Sequence, residues 1–487
     1  MTVLKQMAHG AFWSLASRVG NQGVSLLVFM LVARLIGPND YGLANFCFIF
    51  FSVANLILLG LPDGIISLQI TDTRRLSTLF WLSLTAGLIL CLALFLTAPL
   101  ISRLVEEPRI ESLLHWFSLI CPCAAVFVIP FKLISAALQF KKIAILMSAA
   151  SLVSGVTGVL FAFTGFGPYA IVAQQLSLNL VLATGVWLCT SWRPSFSFDF
   201  ASLKPSLAPG LKFMATTSLS LAEEQSPRFI IGWVLGSLVL GYFGLVNRIA
   251  CAASDILLES PFLVLYPALS RLREDRAGQA AILGQVIMMA GFFAFPLLAF
   301  AILMAPVYIP RLFGDAWRPA ISVLEVFLLG IAVGPILITI REALRAHNRM
   351  GSYIKIQSVT AIVNLLLIAA LAHYGLLAVS IAMTVLNFCK IPLFVMLFER
   401  WTKISLVNPL MQLWKPIAAT ILMILAIIYC QGQLFSPANT WLTIIFSALI
   451  GGCTYLLCSA ILLWRKLATL LRGLSLLSSS PLAEPKA

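Results

Sequence analysis

The chain has 487 residues, of which 61% are hydrophobic and only 10% charged. Soluble domains carry about 25% charged residues, so too little charge is present here to cover a water-facing surface. Disordered, fibrous and nucleic-acid-binding classes are excluded, and lipid is the expected solvent for most of the chain. Its 32 basic residues outnumber 18 acidic ones, a net charge of +14. With no soluble surface to carry a basic patch, that excess needs another explanation.

Apolar stretches of about 20 residues, long enough to cross a bilayer core, recur along the chain with charged or Gly/Pro residues between them. Fourteen are predicted, at 11–36, 42–69, 76–102, 112–138, 143–164, 168–191, 208–236, 243–270, 281–309, 319–344, 353–373, 376–398, 411–431 and 438–464. Each must satisfy its own backbone hydrogen bonds in lipid, so each is expected to be a helix. The expected fold class is an all-α polytopic membrane protein. The first span carries Arg18, Asn21 and Gln22 with no small-residue cleavage site after it, and reads as a retained helix rather than a signal peptide.

Orientation follows from Lys and Arg, which concentrate in cytoplasmic loops. With the N-terminus placed inside, 21 of the 32 basic residues fall in predicted cytoplasmic segments, including Arg74, Arg75, Lys141, Lys142, Arg345 and Arg349. Only Arg34, Arg103, Arg109, Arg311 and Arg318 fall outside, nearly balanced by Asp40, Glu106, Glu107, Glu111 and Asp315. Both termini are therefore expected in the cytoplasm, and the positive charge is mostly a topological label.

The chain also repeats itself weakly. Tyr41-Gly42-Leu43-Ala44-Asn45 opens the second span and Phe243-Gly244-Leu245-Val246-Asn247 the eighth. Ala98-Pro99 precedes Arg103-Leu104 as Ala305-Pro306 precedes Arg311-Leu312, and Ser112, Leu114, Phe117 and Leu119 match Ser322, Leu324, Phe327 and Leu329. The offsets drift from 202 to 210 residues. A repeat of six helices inserts with one orientation, giving two parallel six-helix repeats about an axis along the membrane normal, as in secondary transporters with a site between the halves. The expected domains are a six-helix bundle over 1–200, a second over 201–404, two additional helices over 405–465 and a cytoplasmic tail over 466–487, disordered beyond Ser478.

The ten cysteines fall within apolar spans and suit helix packing. The four histidines form no ligand pattern, so no metal site or cofactor is expected. Ionisable residues at membrane depth are costly and point to function. They gather in four helices. The first span carries Ser14, Ser17, Arg18, Asn21, Gln22 and Ser25 as one polar stripe. The second has Asn45, Ser52, Asn55 and Asp63. The seventh has Ser220, Glu223, Glu224 and Arg228, with Pro227 expected to kink it. The eighth has Asn247, Arg248, Asp255 and Glu259. These helices are equivalent in the two halves, which predicts a hydrated central cavity. Arg18, Arg228 and Arg248 offer rigid forks suited to phosphate. Glu223, Glu224, Asp255 and Glu259 suit either counter-charge or proton and sodium sites, and Asp63 either a helix cap or the same coupling role. Lys132, Lys390 and Glu325 are read as snorkelling from span ends. No phosphate loop occurs and no soluble domain is present to hold one, which argues against ATP-driven pumping. The short outside loops leave no place for an extramembrane enzyme site.

The run from Gly10-Ala11-Phe12-Trp13-Ser14 through Leu31-Val32-Ala33-Arg34-Leu35-Ile36-Gly37 to Asp40-Tyr41-Gly42 resembles the opening of bacterial polysaccharide flippases. These belong to the multidrug/oligosaccharidyl-lipid/polysaccharide (MOP) exporter superfamily. Tyr266-Pro267-Ala268-Leu269-Ser270 and Arg311-Leu312-Phe313-Gly314-Asp315-Ala316-Trp317 are similar to segments of the same family, with colanic-acid-type and O-antigen flippases as the nearest types. The resemblance implies alternating-access movement of a polyprenyl-diphosphate-linked oligosaccharide from the cytoplasmic to the periplasmic leaflet of the inner membrane. It further implies a cationic cavity for the diphosphate, in which Arg18, Arg228 and Arg248 are the available positions. Polysaccharide polymerase and chain-length machinery are the implied partners. A lipid II-type flippase and a cation-coupled multidrug exporter of the same superfamily stay open, although the latter usually has twelve spans and a carboxylate in its first helix.

Overall fold

A computed structural model shows how these spans are built. It describes the backbone of residues 3–66, 72–255, 275–434 and 440–479, with isolated positions 257, 265 and 269. Side chains are described for residues 23–56, 58, 72–199, 214, 217–218, 221–255, 257, 265, 269, 275–431 and 441–462. The tail beyond Ser479 lies outside the described residues.

Every regular element among the described residues is helical. In chain order they are α1 (Val3–Ile66), α2 (Thr73–Val105), α3 (Arg109–Ser118), α4 (Ile120–Ala136), α5 (Phe140–Phe163), α6 (Tyr169–Cys189), α7 (Phe200–Ser254), α8 (Arg276–Phe313), α9 (Ala320–Ile331), α10 (Gly334–Ala346), α11 (Met350–Leu371), α12 (Leu376–Thr402), α13 (Val407–Met411), α14 (Trp414–Leu434) and α15 (Thr440–Ser479). Large apolar side chains stand bare on their outer faces, with Leu188 88% and Ile461 80% exposed. In water such a surface would aggregate; in a bilayer it is the lipid contact.

Twelve helical segments among the described residues are long and apolar enough to span a membrane, rather than fourteen. The difference falls in two of them, Gly23–Leu56 and Leu221–Ser254. These contain the bends of α1 and α7, where the sequence divides spans one from two and seven from eight. The α1 bend lies at Gly37 (φ 75°, ψ 173°) and the α7 bend at Gly236 (φ 84°, ψ 175°). Backbone of that shape is open essentially to glycine alone. The bend of α7 is therefore at Gly236 and not at Pro227, which lies inside unbroken helix.

Positive φ angles expose the duplication more clearly than the residue matches do. Gly37 pairs with Gly236, Glu106 with Gly314, Leu138 with Asn348 and Gly165 with Gly375. The offsets are 199, 208, 210 and 210 residues. Each later pair closes equivalent helices, α2 with α8, α4 with α10 and α5 with α11. A left-handed residue just past a helix end is a stop signal, and Leu138 (φ 55°) and Asn348 (φ 56°) show one such stop retained although the side chains have diverged.

The chain divides into two compact units. The first comprises residues 1–247, 310–320 and 361–379. Within it α1 and α7 cross at their bends with reciprocal contacts. A Cβ added to Gly42 would meet the Ser237 carbonyl oxygen, and one added to Gly241 would meet the Pro38 carbonyl oxygen. Only glycine permits backbones to approach this closely. The crossing is extended by Phe46 stacked on Phe229 at 6.0 Å between ring centroids and by Ser237 Oγ donating to Asn39 Oδ1 at 2.6 Å. It pairs Gly42 with Gly241, three residues short of the Gly42–Gly244 match read from sequence. A non-helical strap, 190–199, leads from α6 to α7 and is pinned to α2. Its Ser195 carbonyl accepts from Trp81 Nε1 at 3.0 Å, and its Asp199 amide donates to Thr78 Oγ1 at 2.9 Å.

The second unit comprises residues 248–309, 321–360 and 380–487. Leu283, Ile287, Ile340, Leu344, Phe394, Phe398 and Leu413 from α8, α10, α12 and the α13–α14 region form its main buried cluster. A smaller cluster joins Met304 of α8 to Met423 and Ile427 of α14 and Tyr455 of α15.

Candidate functional site

The two bends set the depth of the charged residues. Each limb of α1 and α7 is about 27 Å long or more at 1.5 Å per residue, enough to cross a bilayer core, so the bends lie at a membrane surface. Along its helix, Arg228 is about 12 Å and Arg248 about 18 Å from the Gly236 bend, which puts both at membrane depth. Arg18 is about 28 Å from the Gly37 bend, near the opposite surface.

Arg228 is built into its helix. Its Nη2 lies 3.2 Å from Glu224 Oε1, one turn earlier, and its Nη1 donates to Gln225 Oε1 at 3.0 Å. The Arg228 side chain is only 16% exposed, whereas Glu224 is 60% exposed. The cation is thus held in place and its partner is the displaceable member. Gln225, itself buried, was not singled out by sequence; its i,i+3 spacing to Arg228 was the available signal.

The remaining candidates divide plainly. Asn45 donates to the Tyr41 carbonyl at 2.8 Å and so bonds within its own helix. Asn55 and Asn247 are half-buried. Glu223 and Arg248 are half-buried and Asp255 is exposed, and each has an interacting neighbour. Asn247 closes the first unit and Arg248 opens the second. Ser14, Arg18, Asn21, Gln22 and Asp63 lie on α1, but their side chains are outside the described residues, as is Glu259 altogether. Among the described residues, Arg228, Glu224 and Gln225 form one hydrogen-bonded group.

Two further features lie at the bends. The Arg311–Trp317 segment packs on α1 within the first unit. Trp317 is fully buried, donates from Nε1 to the Ala33 carbonyl at 3.3 Å, and meets Tyr41 at 5.9 Å, Tyr242 at 6.2 Å and Phe313 at 6.3 Å between centroids. Arg34 donates to the Arg311 carbonyl at 2.7 Å. Charges sorted to one side by the positive-inside pattern also pair: Arg109 bonds Asp40 at 2.9 Å and Glu107 at 2.9 Å. The Arg109 side chain, hydrogen-bonded to Glu107, holds that carboxyl below its ordinary range against the opposing effect of partial burial.

A duplicated, all-helical chain with bent helix pairs and ionisable groups at membrane depth is a multi-pass membrane protein of the secondary-transporter type. The "Polysaccharide biosynthesis protein" family profile matches residues 31–322, and the chain belongs to that family. It is 25% identical to the lipopolysaccharide biosynthesis protein WzxC of Escherichia coli over 335 residues, 67% of each chain. It is 23% identical to the succinoglycan biosynthesis transport protein ExoT of Rhizobium meliloti over 329 residues, 67% of this chain and 66% of the relative. Among solved structures it is similar to the lipid II flippase MurJ in an inward closed conformation, with a TM-score of 0.74 and 14% identity over 94% of this chain and all of the other. That likeness is one of fold.

Proposed function

We propose that this protein is a lipid-linked oligosaccharide flippase. It moves polyprenyl-diphosphate-linked glycan repeat units from the cytoplasmic to the periplasmic leaflet of the bacterial inner membrane by alternating access, for O-antigen, capsule or exopolysaccharide synthesis. The observation that carries this reading is the family match over residues 31–322, joined by relatives named for surface-polysaccharide synthesis and transport. The chemistry supports it. Arg228 is a permanently charged fork at membrane depth whose carboxylate partner, Glu224, is the more exposed of the two. An incoming diphosphate exchanges one anion for another there and leaves no bare charge in lipid.

In this reading Arg228, Arg248 and Arg18 hold the diphosphate, and Ser14, Asn21, Gln22, Asn45, Asn55 and Asn247 are the polar lining of the cavity. Asp63, Glu223, Glu224, Asp255 and Glu259 provide counter-charge or proton or sodium coupling. The working parts are the bundles 1–200 and 201–404, the added helices 405–465 and the tail 466–487, with both termini cytoplasmic. Delivered repeat units pass to polymerase and chain-length machinery. The likeness to MurJ favours lipid II as the second substrate to try.

Removing a charge-assisted contact costs about 1.5–3 kcal/mol, which is about ten- to a hundredfold in transport rate. Arg228→Ala and Arg248→Ala should each lower surface polysaccharide by about ten- to a hundredfold at normal protein levels. Full polysaccharide output in both would overturn the arginine assignment. Rescue of growth in cells depleted of their lipid II flippase would move the substrate to the second reading.

A further inference from the structure

The two partners of Arg228 differ in charge and in freedom to move. Glu224 is an anion 3.2 Å from Nη2, with its side chain 60% exposed. Gln225 is neutral, accepts from Nη1 at 3.0 Å through Oε1, and is only 6% exposed. Arginine donates and never accepts, so the oxygen of the Gln225 amide and not its NH2 group must face it. A side chain enclosed in close-packed interior has little room to change rotamer, so Gln225 stays when Glu224 swings away. Among the described residues no third side chain bonds Arg228. Departure of Glu224 therefore leaves the Nε–H and Nη2–H groups side by side, open to an incoming anion.

Gln225 contributes in two ways. Its bond to Nη1 fixes the plane of the guanidinium, and a fixed plane presents two parallel donors to one phosphate group. Its neutrality preserves the charge. A carboxylate in the same enclosed place would be a second counter-ion that substrate could not displace, so the cation would be neutralised before any diphosphate arrived. We propose that Gln225 is a positioning residue of the diphosphate site, orienting the Arg228 fork while leaving its positive charge uncompensated. The role rests on the assignment of Arg228 to the diphosphate under the proposed function. It divides the work between adjacent residues, with Gln225 holding the cation and Glu224 yielding it.

The test uses the full-length protein in nanodiscs and radiolabelled farnesyl diphosphate, with empty nanodiscs subtracted. Gln225→Met keeps the size and burial and removes the acceptor, so affinity should fall about two- to tenfold, the worth of one hydrogen bond. Gln225→Glu keeps an acceptor and cancels the charge, so affinity should fall further, by about tenfold or more. Lysine carries a charge but no plane to orient. In an Arg228→Lys background, Gln225→Met should therefore change affinity by less than about twofold, whereas a merely structural role would cost the same in both backgrounds. Folding of each variant is checked by its size-exclusion profile and thermal unfolding midpoint. Unchanged affinity in a well-folded Gln225→Met protein overturns the proposal, and so does an equal loss with and without Arg228→Lys. Arg228→Ala separates the proposal from the reading beneath it. Lost binding in Arg228→Ala with full binding in Gln225→Met overturns the positioning role alone. Full binding in Arg228→Ala overturns the diphosphate assignment, and the positioning role with it.

Discussion

The glycine crossing of α1 and α7 can be tested by adding one methyl group on either side. In Gly42→Ala the new Cβ meets the Ser237 carbonyl oxygen, with the Gly241 nitrogen 2.6 Å away and the Ser237 carbonyl carbon 2.8 Å away. In Gly241→Ala it meets the Pro38 carbonyl oxygen, with the Pro38 carbonyl carbon at 2.7 Å. The obstacles are backbone atoms, so no side chain can rotate out of the way and the helices themselves must separate. Overpacking of this kind costs about 1–3 kcal/mol, here at the upper end, and is opposed by about 1 kcal/mol gained when alanine replaces glycine in a helix. The expected net loss is about 2 kcal/mol for either variant. The double variant should lose less than the sum, because both methyl groups force apart the same pair of helices. Gly452→Ala is the control: its Cβ meets nothing within 4 Å, so the helix gain of up to about 1 kcal/mol should stand alone. Unfolding by sodium dodecyl sulfate in mixed micelles, followed by tryptophan fluorescence, ranks the set. If Gly42→Ala and Gly241→Ala unfold at the same detergent fraction as Gly452→Ala, the close crossing is wrong.

Other perturbations separate the remaining contributions. Gly37 has open space around it, yet Gly37→Ala should still lose about 1–3 kcal/mol in the same assay, because its φ of 75° with ψ near 173° excludes a Cβ. Trp317→Ala should lose about 3–5 kcal/mol for an emptied, fully buried site, whereas Trp317→Phe should lose about 1 kcal/mol with the Ala33 hydrogen bond; equal losses would show that the indole N–H, not the ring, holds the segment. The Glu107 carboxyl is depressed in the folded protein by Arg109, so its contribution is present above its unfolded value and is lost as pH falls through the folded one. A stability difference between wild type and Glu107→Gln, about 0.2–1 kcal/mol for a partly exposed pair, should therefore be seen at pH 7 and vanish well below pH 4.

Much of the fold is legible in one dimension because lipid reads composition directly. A run of 20 apolar residues must be a helix whatever its neighbours are, and the Lys/Arg bias needs no partner to act. The duplication is visible too, faintly in Tyr41–Asn45 against Phe243–Asn247. Its sharper record is backbone conformation at Gly37, Leu138 and their counterparts, which residue identity carries poorly since Leu138 matches Asn348. Arg228 was legible as a charge at depth, and its i,i+4 partner Glu224 with it.

What the sequence by itself determined, then, is the membrane-spanning helical class, the loop charge bias and the positions where charge enters apolar helix, since each depends on local composition alone. Only the tertiary structure decided that the bend of α7 falls at Gly236 rather than Pro227, that Gly42 meets Gly241, and that Trp317 is a buried anchor against α1. Each of these depends on which backbone or side chain lies across a gap in space, and residues hundreds of positions apart meet there without leaving any periodic mark in the chain.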